Sequence, residues 1–443
     1  VKPLKISGDV QAPVAEWVEL QYTDIVGRLR GVGIPFSGER SRLSARADGS
    51  SVGLADIGDS DVILMADSST LSRIPWRSGW WRVLSDLYVD GSARHPLDPR
   101  LSTQKLEEYL RESNLEAFIG VEIEFFLFRD VKVVFSPPTS AGYTIKLADR
   151  SQMGTFSNYH LVGDELVKYR GFLAENLAKF FNIKVTAHHH EVASSQLELS
   201  LEASSPTKTS DNVQTTKYVA RAMAREMGLK AVFMPKPLYG ENGSGMHVHI
   251  SLWRSSRNLF YDPEDPHGLS QLARYFIGGL LHHMRALAAV VAPTVNSYKR
   301  LVPGFEAPIY AVWGFRNRSA AVRVPIATNE REARVEFRPP DPSANPYLAL
   351  AAIVAAGLDG VRKSIDPGDP SSANVYELSR LPRERRLPTS LSEALDELDQ
   401  DREFLKPIFS NDLVDKYIEV KRREVVEVSP SPSPKEFLTY CDI

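Results

Sequence analysis

Over its first hundred positions the chain alternates apolar and polar residues in short runs, such as Trp17-Val18-Glu19-Leu20-Gln21-Tyr22 and Val62-Ile63-Leu64-Met65, punctuated by Gly and Ser. A period of two predicts strands, and hence a small β-rich domain. Asp98-Pro99-Arg100 and Ser102 then supply start signals for an amphipathic helix over 103–112. A boundary is placed there, giving domains 1–97 and 98–443. In the second, a strand over 118–128 and helices over 213–227 and 269–291 follow one another without regular βαβ repetition, an α+β pattern. Ser429-Pro430-Ser431-Pro432-Ser433-Pro434 reads as an extended connector.

The strand pattern becomes chemical at Ile119-Gly120-Val121-Glu122-Ile123-Glu124-Phe125-Phe126. Glu122 and Glu124 are two apart, so on a strand both carboxylates point to one face. Side by side they repel and lose hydration, which calls for a positive partner, a divalent metal being the natural one. An edge strand with a solvated acidic face stays open on this element alone. The device recurs in His188-His189-His190-Glu191, Gln196-Leu197-Glu198, Met246-His247-Val248-His249 and Arg334-Val335-Glu336-Phe337-Arg338. Glu191 and Glu198 are an odd number of residues apart, so the strand must bend between them, and Ala193-Ser194-Ser195 is placed to do it. Carboxylates with only one or two imidazoles suit the hard cations Mg²⁺ or Mn²⁺ rather than zinc.

Composition narrows the setting. With 443 residues and 43% hydrophobic content the chain can bury a large core. The net charge of −3 carries no electrostatic footprint for nucleic acid. The longest apolar run, over 347–358, is too short to span a membrane. The single Cys441 excludes an intrachain disulfide framework and a cysteine zinc site, and a cytoplasmic protein is expected. No G-x-x-x-x-G-K-[ST] or G-x-S-x-G occurs, so phosphate chemistry would rest on metals and on the arginines Arg300, Arg318, Arg323, Arg334 and Arg338. Interleaved with Glu306 and Glu336, these make a clamp suited to a transferring phosphoryl group.

Nearly the whole chain resembles the type I glutamine synthetases. The resemblance is carried by Asp48-Gly49-Ser50-Ser51, the Glu122/Glu124 strand, His189-His190-Glu191-Val192-Ala193, Phe233-Met234-Pro235-Lys236-Pro237, Asn242-Gly243-Ser244-Gly245-Met246-His247, residues 296–308, Asn317-Arg318-Ser319 and Asn345-Pro346-Tyr347-Leu348. It implies an N-terminal β-grasp-like domain and a catalytic domain built as an antiparallel β funnel flanked by helices. It further implies glutamate, ATP and ammonia as substrates, and a homododecamer of two hexameric rings with sites closed by the neighbour's N-terminal domain.

By the same resemblance Glu124, Glu191 and Glu198 would ligate one metal and Glu122, His247 and Glu336 a second. Asn242, Gly243, Arg300 and Arg338 would bind substrate and phosphate, and His249, Ser251, Arg323 and Arg334 would bind ATP. Asp48, Glu306 and Arg318 would be catalytic: Asp48 holding ammonium, Glu306 on a mobile flap, Arg318 on the transferring phosphoryl. Asn374-Val375-Tyr376-Glu377-Leu378 resembles a segment that some relatives modify with a nucleotide. There is one marked departure. Where the family's ammonium pocket uses a tyrosine in a Gly-Gly-Tyr-Phe-like segment, this chain reads Met153-Gly154-Thr155-Phe156-Ser157-Asn158-Tyr159, which leaves a glutamate–amine ligase acting on an alkylamine or polyamine as the alternative. Ser195 also stands where a glycine is usual.

Overall fold

The computed structural model describes residues 16–39, 43–55, 57–136, 140–149, 164–377, 381–406, 408–431, 433 and 435–436. Phe156, Tyr159, Leu378 and Cys441 lie outside them. Internal contacts divide the chain into two compact units, one of Val1–Tyr22 and Leu29–His95, the other of Thr23–Arg28 and Pro96–Ile443.

The first unit holds strands β1 (Glu16–Thr23, whose last residue already belongs to the second unit), β2 (Leu29–Phe36), β3 (Ser44–Asp48), β4 (Asp61–Ala66), β5 (Ser72–Arg73) and β6 (Trp80–Tyr88). Their sheet runs β2-β1-β6-β4-β3, with β5 also on β6, and β1 and β6 are parallel. The period-two pattern puts Val18, Leu20, Val62, Leu64, Val83 and Leu87 inside, each at most 1% exposed, so alternation here was a faithful guide.

In the second unit the strands are β7 (Glu116–Ser136), β8 (Ser140–Leu147), β9 (Val185–His190), β10 (Gln196–Ser204), β11 (Lys230–Val232), β12 (Met246–Arg254), β13 (Arg257–Asn258), β14 (Trp313–Phe315), β15 (Val322–Val324) and β16 (Val335–Phe337). They make one sheet ordered β14-β15-β16-β12-β7-β10-β9, antiparallel except at β14–β15. Long β7 is its spine. Ile119, Val121, Ile123 and Phe125 are buried on one face, where the helix over Pro206–Glu226 packs and donates Thr209 Oγ1 to Ile119 O at 2.9 Å. Glu122 and Glu124 therefore face the other side.

The helices are α1 (Pro99–Glu112), α2 (Val167–Phe181), α3 (Pro206–Glu226), α4 (Gln271–His282), α5 (Met284–Val291), α6 (Ser297–Arg300), α7 (Pro346–Lys363), α8 (Leu391–Gln400) and α9 (Asn411–Val428). Asp98 caps α1 by accepting from Arg100 N, as the start signals indicate. Two helices differ from the sequence reading. α3 begins at Pro206 rather than 213, because its first turns are buried but polar. There Asp211 binds Arg100 (3.0 and 2.8 Å) and Tyr347 (2.7 Å), and Gln214 binds Thr23 (2.9 Å). The helix expected over 269–291 is two, α4 and α5, broken at His283, whose backbone leaves helical geometry at ψ 7°. The apolar run over 347–358 is a core helix, α7, buried almost all round. Among the described residues no helix is long and apolar enough to cross a membrane.

Candidate active site

Antiparallel register assembles the site from the sheet's polar face. Glu198 on β10 lies directly opposite Glu124 on β7 and His189 on β9, while His247 on β12 lies opposite Glu122 and His249 opposite Glu336. Like charges paired directly across strands are destabilising. Carboxylates so placed belong to a site, not to a solvated edge. The bend between Glu191 and Glu198 is a turn closed by Glu191 N to Gln196 O (2.9 Å), with Ser195 at φ 62°. It swings Glu191 back onto the face that Glu198 occupies.

These side chains line a cleft of about 670 Å³, open mouth included, formed by Glu122, Glu124, His189, Glu191, Gln196, Glu198, Asn242, Gly243, His247, Arg300, Phe305, Glu306, Ala307, Arg318, Arg323 and Arg338. Twelve of the expected site residues meet there. His249, Glu336, Ser251 and Arg334 continue along β12, β16 and the residue before β16. Asp48, at the end of β3, belongs to the first compact unit, where it accepts hydrogen bonds from Ser50 N (2.9 Å) and Ser50 Oγ (2.6 Å). Those bonds hold its carboxyl below the usual range.

Three groups of donors come within 4.8 Å: Glu122, Glu198 and His247; Glu122, His249 and Glu336; His189, Glu191 and Glu198. Five of the six expected ligands fall in them, in a different partition. Glu124 instead accepts from Gly245 N (2.8 Å) and Gln196 Nε2 (3.1 Å). His249 sits 3.0 Å from Glu122 through Nε2 and accepts from Arg334 Nε at 3.3 Å. Burial, reinforced by Glu124 and Glu198, pushes the Glu191 carboxyl well up, and burial together with Glu122 and Glu124 raises Glu198. This is carboxylate density that a hard divalent cation matches, so the donor set fits Mg²⁺ or Mn²⁺.

The cationic side is equally built. Glu336, fully buried, is held by Arg323 and by Arg338 at 2.6 Å; burial opposes its ionisation, but Arg338 and the two histidines outweigh it and bring the carboxyl to about 2. Arg300, 2% exposed, donates to Pro339 O (2.7 Å) and Arg338 O (3.2 Å). Gly245 lets the chain pass this guanidinium, since a Cβ there would meet Arg300 Nη2 at 2.7 Å, and Gly243 lets it pass the backbone of Pro235, whose carbonyl a Cβ would meet at 2.4 Å.

Sequence reasoning missed several groups. His189 bridges Glu198 (3.1 Å) and Glu191 (3.3 Å), and Gln196 braces Glu124. Both lie in the segments 188–191 and 196–198, where strand register sets them opposite Glu198 and Phe126. Phe118, 39% exposed, pairs with Ser251 and meets Trp253 edge-on at 5.8 Å, an aromatic platform further along the same face.

The second unit's largely antiparallel sheet thus carries acidic donor groups that fit a hard cation beside arginines whose chemistry suits phosphate or carboxylate oxygens. Residues 14–90 match the β-grasp domain of glutamine synthetase and residues 96–440 its catalytic domain. Curated relatives named glutamine synthetase include those of Sulfolobus acidocaldarius, 44% identical over 96% of both chains, and Thermococcus kodakarensis, 41% identical over 96% of this chain and 92% of that one. Among solved structures, the Plasmodium falciparum glutamine synthetase covers 99% of this chain and 100% of that one (TM-score 0.86, 26% identity), and a GmaS/ADP complex covers 97% of both (TM-score 0.83, 29% identity). The chain belongs to the glutamine synthetase family. It is a ligase of a family that uses ATP and divalent metal.

Proposed function

We propose that the protein joins ammonia to the γ-carboxylate of glutamate at the cost of ATP, with residues 1–97 as the β-grasp module and 98–443 as the catalytic module. The observation that carries this is a cleft in which carboxylates and imidazoles face arginines across the polar side of β7. Glu124, Glu191 and Glu198, and Glu122, His247 and Glu336, would hold two divalent cations, Mg²⁺ or Mn²⁺. The cations would neutralise phosphate oxygens and polarise the reacting groups.

The chain's own residues then bind and orient. A γ-carboxylate oxygen of glutamate forms a bond to the γ-phosphorus of ATP as the bond to ADP breaks. Arg318 and Arg338 stabilise the charge on the transferring phosphoryl. Ammonia, released from ammonium at Asp48, attacks the carbonyl carbon of the acyl phosphate; phosphate leaves, and Glu306 takes the surplus proton. Arg300, Asn242 and Gly243 orient glutamate. His249, Ser251, Arg323 and Arg334 hold the nucleotide. Phe118 lies four strand residues from Glu122, roughly 13 Å, a span that suits a base stacked on the Phe118–Trp253 pair with its phosphates at the acidic end.

Ammonia is preferred over an alkylamine or polyamine because Asp48 resembles the family's ammonium-binding aspartate and the curated relatives at 38–44% identity carry the name glutamine synthetase. A cytoplasmic dodecamer completes the proposal. The test supplies purified protein with ATP, glutamate, ammonium and Mg²⁺ and follows products. One glutamine, one ADP and one phosphate per turnover are expected, and ATP consumption without glutamine would refute the reading.

A further inference from the structure

Beside the cleft, segment 302–309 carries Glu306 in a backbone conformation that a glutamate rarely takes, φ 56°, two residues after Gly304 at φ 87°. A non-glycine residue there is strained and persists only where its neighbours hold it. Upstream, Lys236 Nζ lies 3.7 Å over the Phe305 ring, and the Glu306 carboxylate accepts from Asn242 Nδ2 at 3.1 Å. Downstream there is a separate restraint. Tyr376 donates its hydroxyl to the carbonyl of Ala307 at 3.1 Å, one residue past the strained position.

Tyr376 stands on firm ground. It lies in a single 3-10 turn, Val375–Glu377, whose Val375 is buried in an apolar cluster with Val312 and Ala320. Val375 N donates to Ser319 Oγ at 2.9 Å, and Asn317 Nδ2 donates to Ser371 O (3.0 Å) and Ala373 O (2.9 Å). Ser319 and Asn317 flank Arg318, which lines the cleft. One turn thus ties the Arg318 loop to the Glu306 loop.

We propose that Tyr376 is a positioning residue: its hydroxyl latches the Glu306 loop through the Ala307 carbonyl and keeps the Glu306 carboxylate over the cleft while the acyl phosphate exists. Tyr376 itself touches no reacting atom. The inference rests on the reading of Glu306 as the lid acid, so both residues are tested together. Loss of the latch leaves substrate binding intact and lets water compete with ammonia, since lid closure protects a hydrolysable intermediate.

The experiment measures amide formed per phosphate released, with KM for ATP and glutamate, in wild type, Tyr376→Phe and Glu306→Gln. Tyr376→Phe should keep both KM values within about twofold, lose roughly tenfold in kcat for the amide, as for one hydrogen bond, and release phosphate in excess. Hydrogen exchange of residues 302–309 should quicken in the same variant, a readout that global stability does not mimic. Tyr376→Phe with one-to-one coupling and unchanged exchange overturns the latch. Glu306→Gln with full coupling overturns the lid reading beneath it.

Discussion

Ser195 shows how one residue can look minor in sequence and be decisive in space. It is fully buried at φ 62°, where glycine would be unstrained. Its hydroxyl donates to Asp149 O (2.9 Å) and accepts from Ala148 N and Asp149 N (both 3.0 Å), while its own N–H donates to Asp149 Oδ1 (2.8 Å). The left-handed backbone costs about 1–2 kcal/mol, whereas three hydroxyl bonds contribute about 1 kcal/mol each and a buried amide left unpaired costs more. The bonds win. Ser195→Gly and Ser195→Ala should both lower stability, by about 2–4 kcal/mol, measured as the shift in urea midpoint; a Gly variant more stable than wild type would show that strain dominates. At Glu124 the expectation is different in kind. Glu124→Ala frees Gly245 N and Gln196 but leaves the core face of β7 untouched, so the fold should persist while activity drops at least about 100-fold; circular dichroism beside an activity assay separates the two. The common face of the candidate-site residues on strands was readable from sequence because alternation fixes which face a side chain takes. Ser195 and Tyr376 were not, since their roles depend on partners 46 and 69 residues away.

At the scale of elements, alternation found β1, β4 and the core of β7, where one face is buried and the other wet. It failed where a helix is polar and buried, as at the start of α3, because satisfied hydrogen bonds replace apolar contacts and leave no periodic signal. It failed again at the α4–α5 break, which is set from afar: His283 sits between Asp359 of α7 (2.9 Å) and Asp401 at the end of α8 (2.7 Å), stacked on Phe404 at 4.2 Å. Asp359 also binds Lys363 at 2.8 Å and Arg362. Burial opposes its ionisation, but Lys363, His283 and Arg362 outweigh this and lower its carboxyl from 3.8 to about 2. A depressed carboxylate contributes stability that is complete above its unfolded range near pH 3.8 and is lost as pH falls through about 2. Asp359→Asn should therefore destabilise the protein at neutral pH, with the gap to wild type narrowing between pH 4 and 2 in acid-unfolding curves. A gap that stays constant across that window would rule out the carboxylate's charge as the cause.

For the whole molecule, the resemblance carried more than the pattern could. Period and composition reached two domains, an α+β class and a face of clustered carboxylates; the sheet order, with β7 between β12 and β10, needs pairings between segments far apart in sequence, and the resemblance implied an antiparallel funnel without that order. The proposal that Asp48 serves the cleft of a neighbouring subunit makes a distinct prediction at this scale, since Asp48 belongs to the first compact unit and the cleft residues to the second. Mixing Asp48→Ala with Glu124→Ala under conditions that exchange subunits should recover part of the activity both lack, and proven hybrids that stay inactive would place each site within one chain. The acceptor is the central claim. Each substituent on nitrogen removes a donor that Asp48 could bind and adds volume, and size alone discriminates by only about 1–3 kcal/mol per methylene, so slow turnover of methylamine is expected. The decisive measurement is kcat/KM for ammonia, methylamine, ethanolamine and putrescine at saturating ATP and glutamate. Ammonia should exceed every amine; an amine that surpasses it would contradict the account and make the protein a glutamate–amine ligase on the same scaffold.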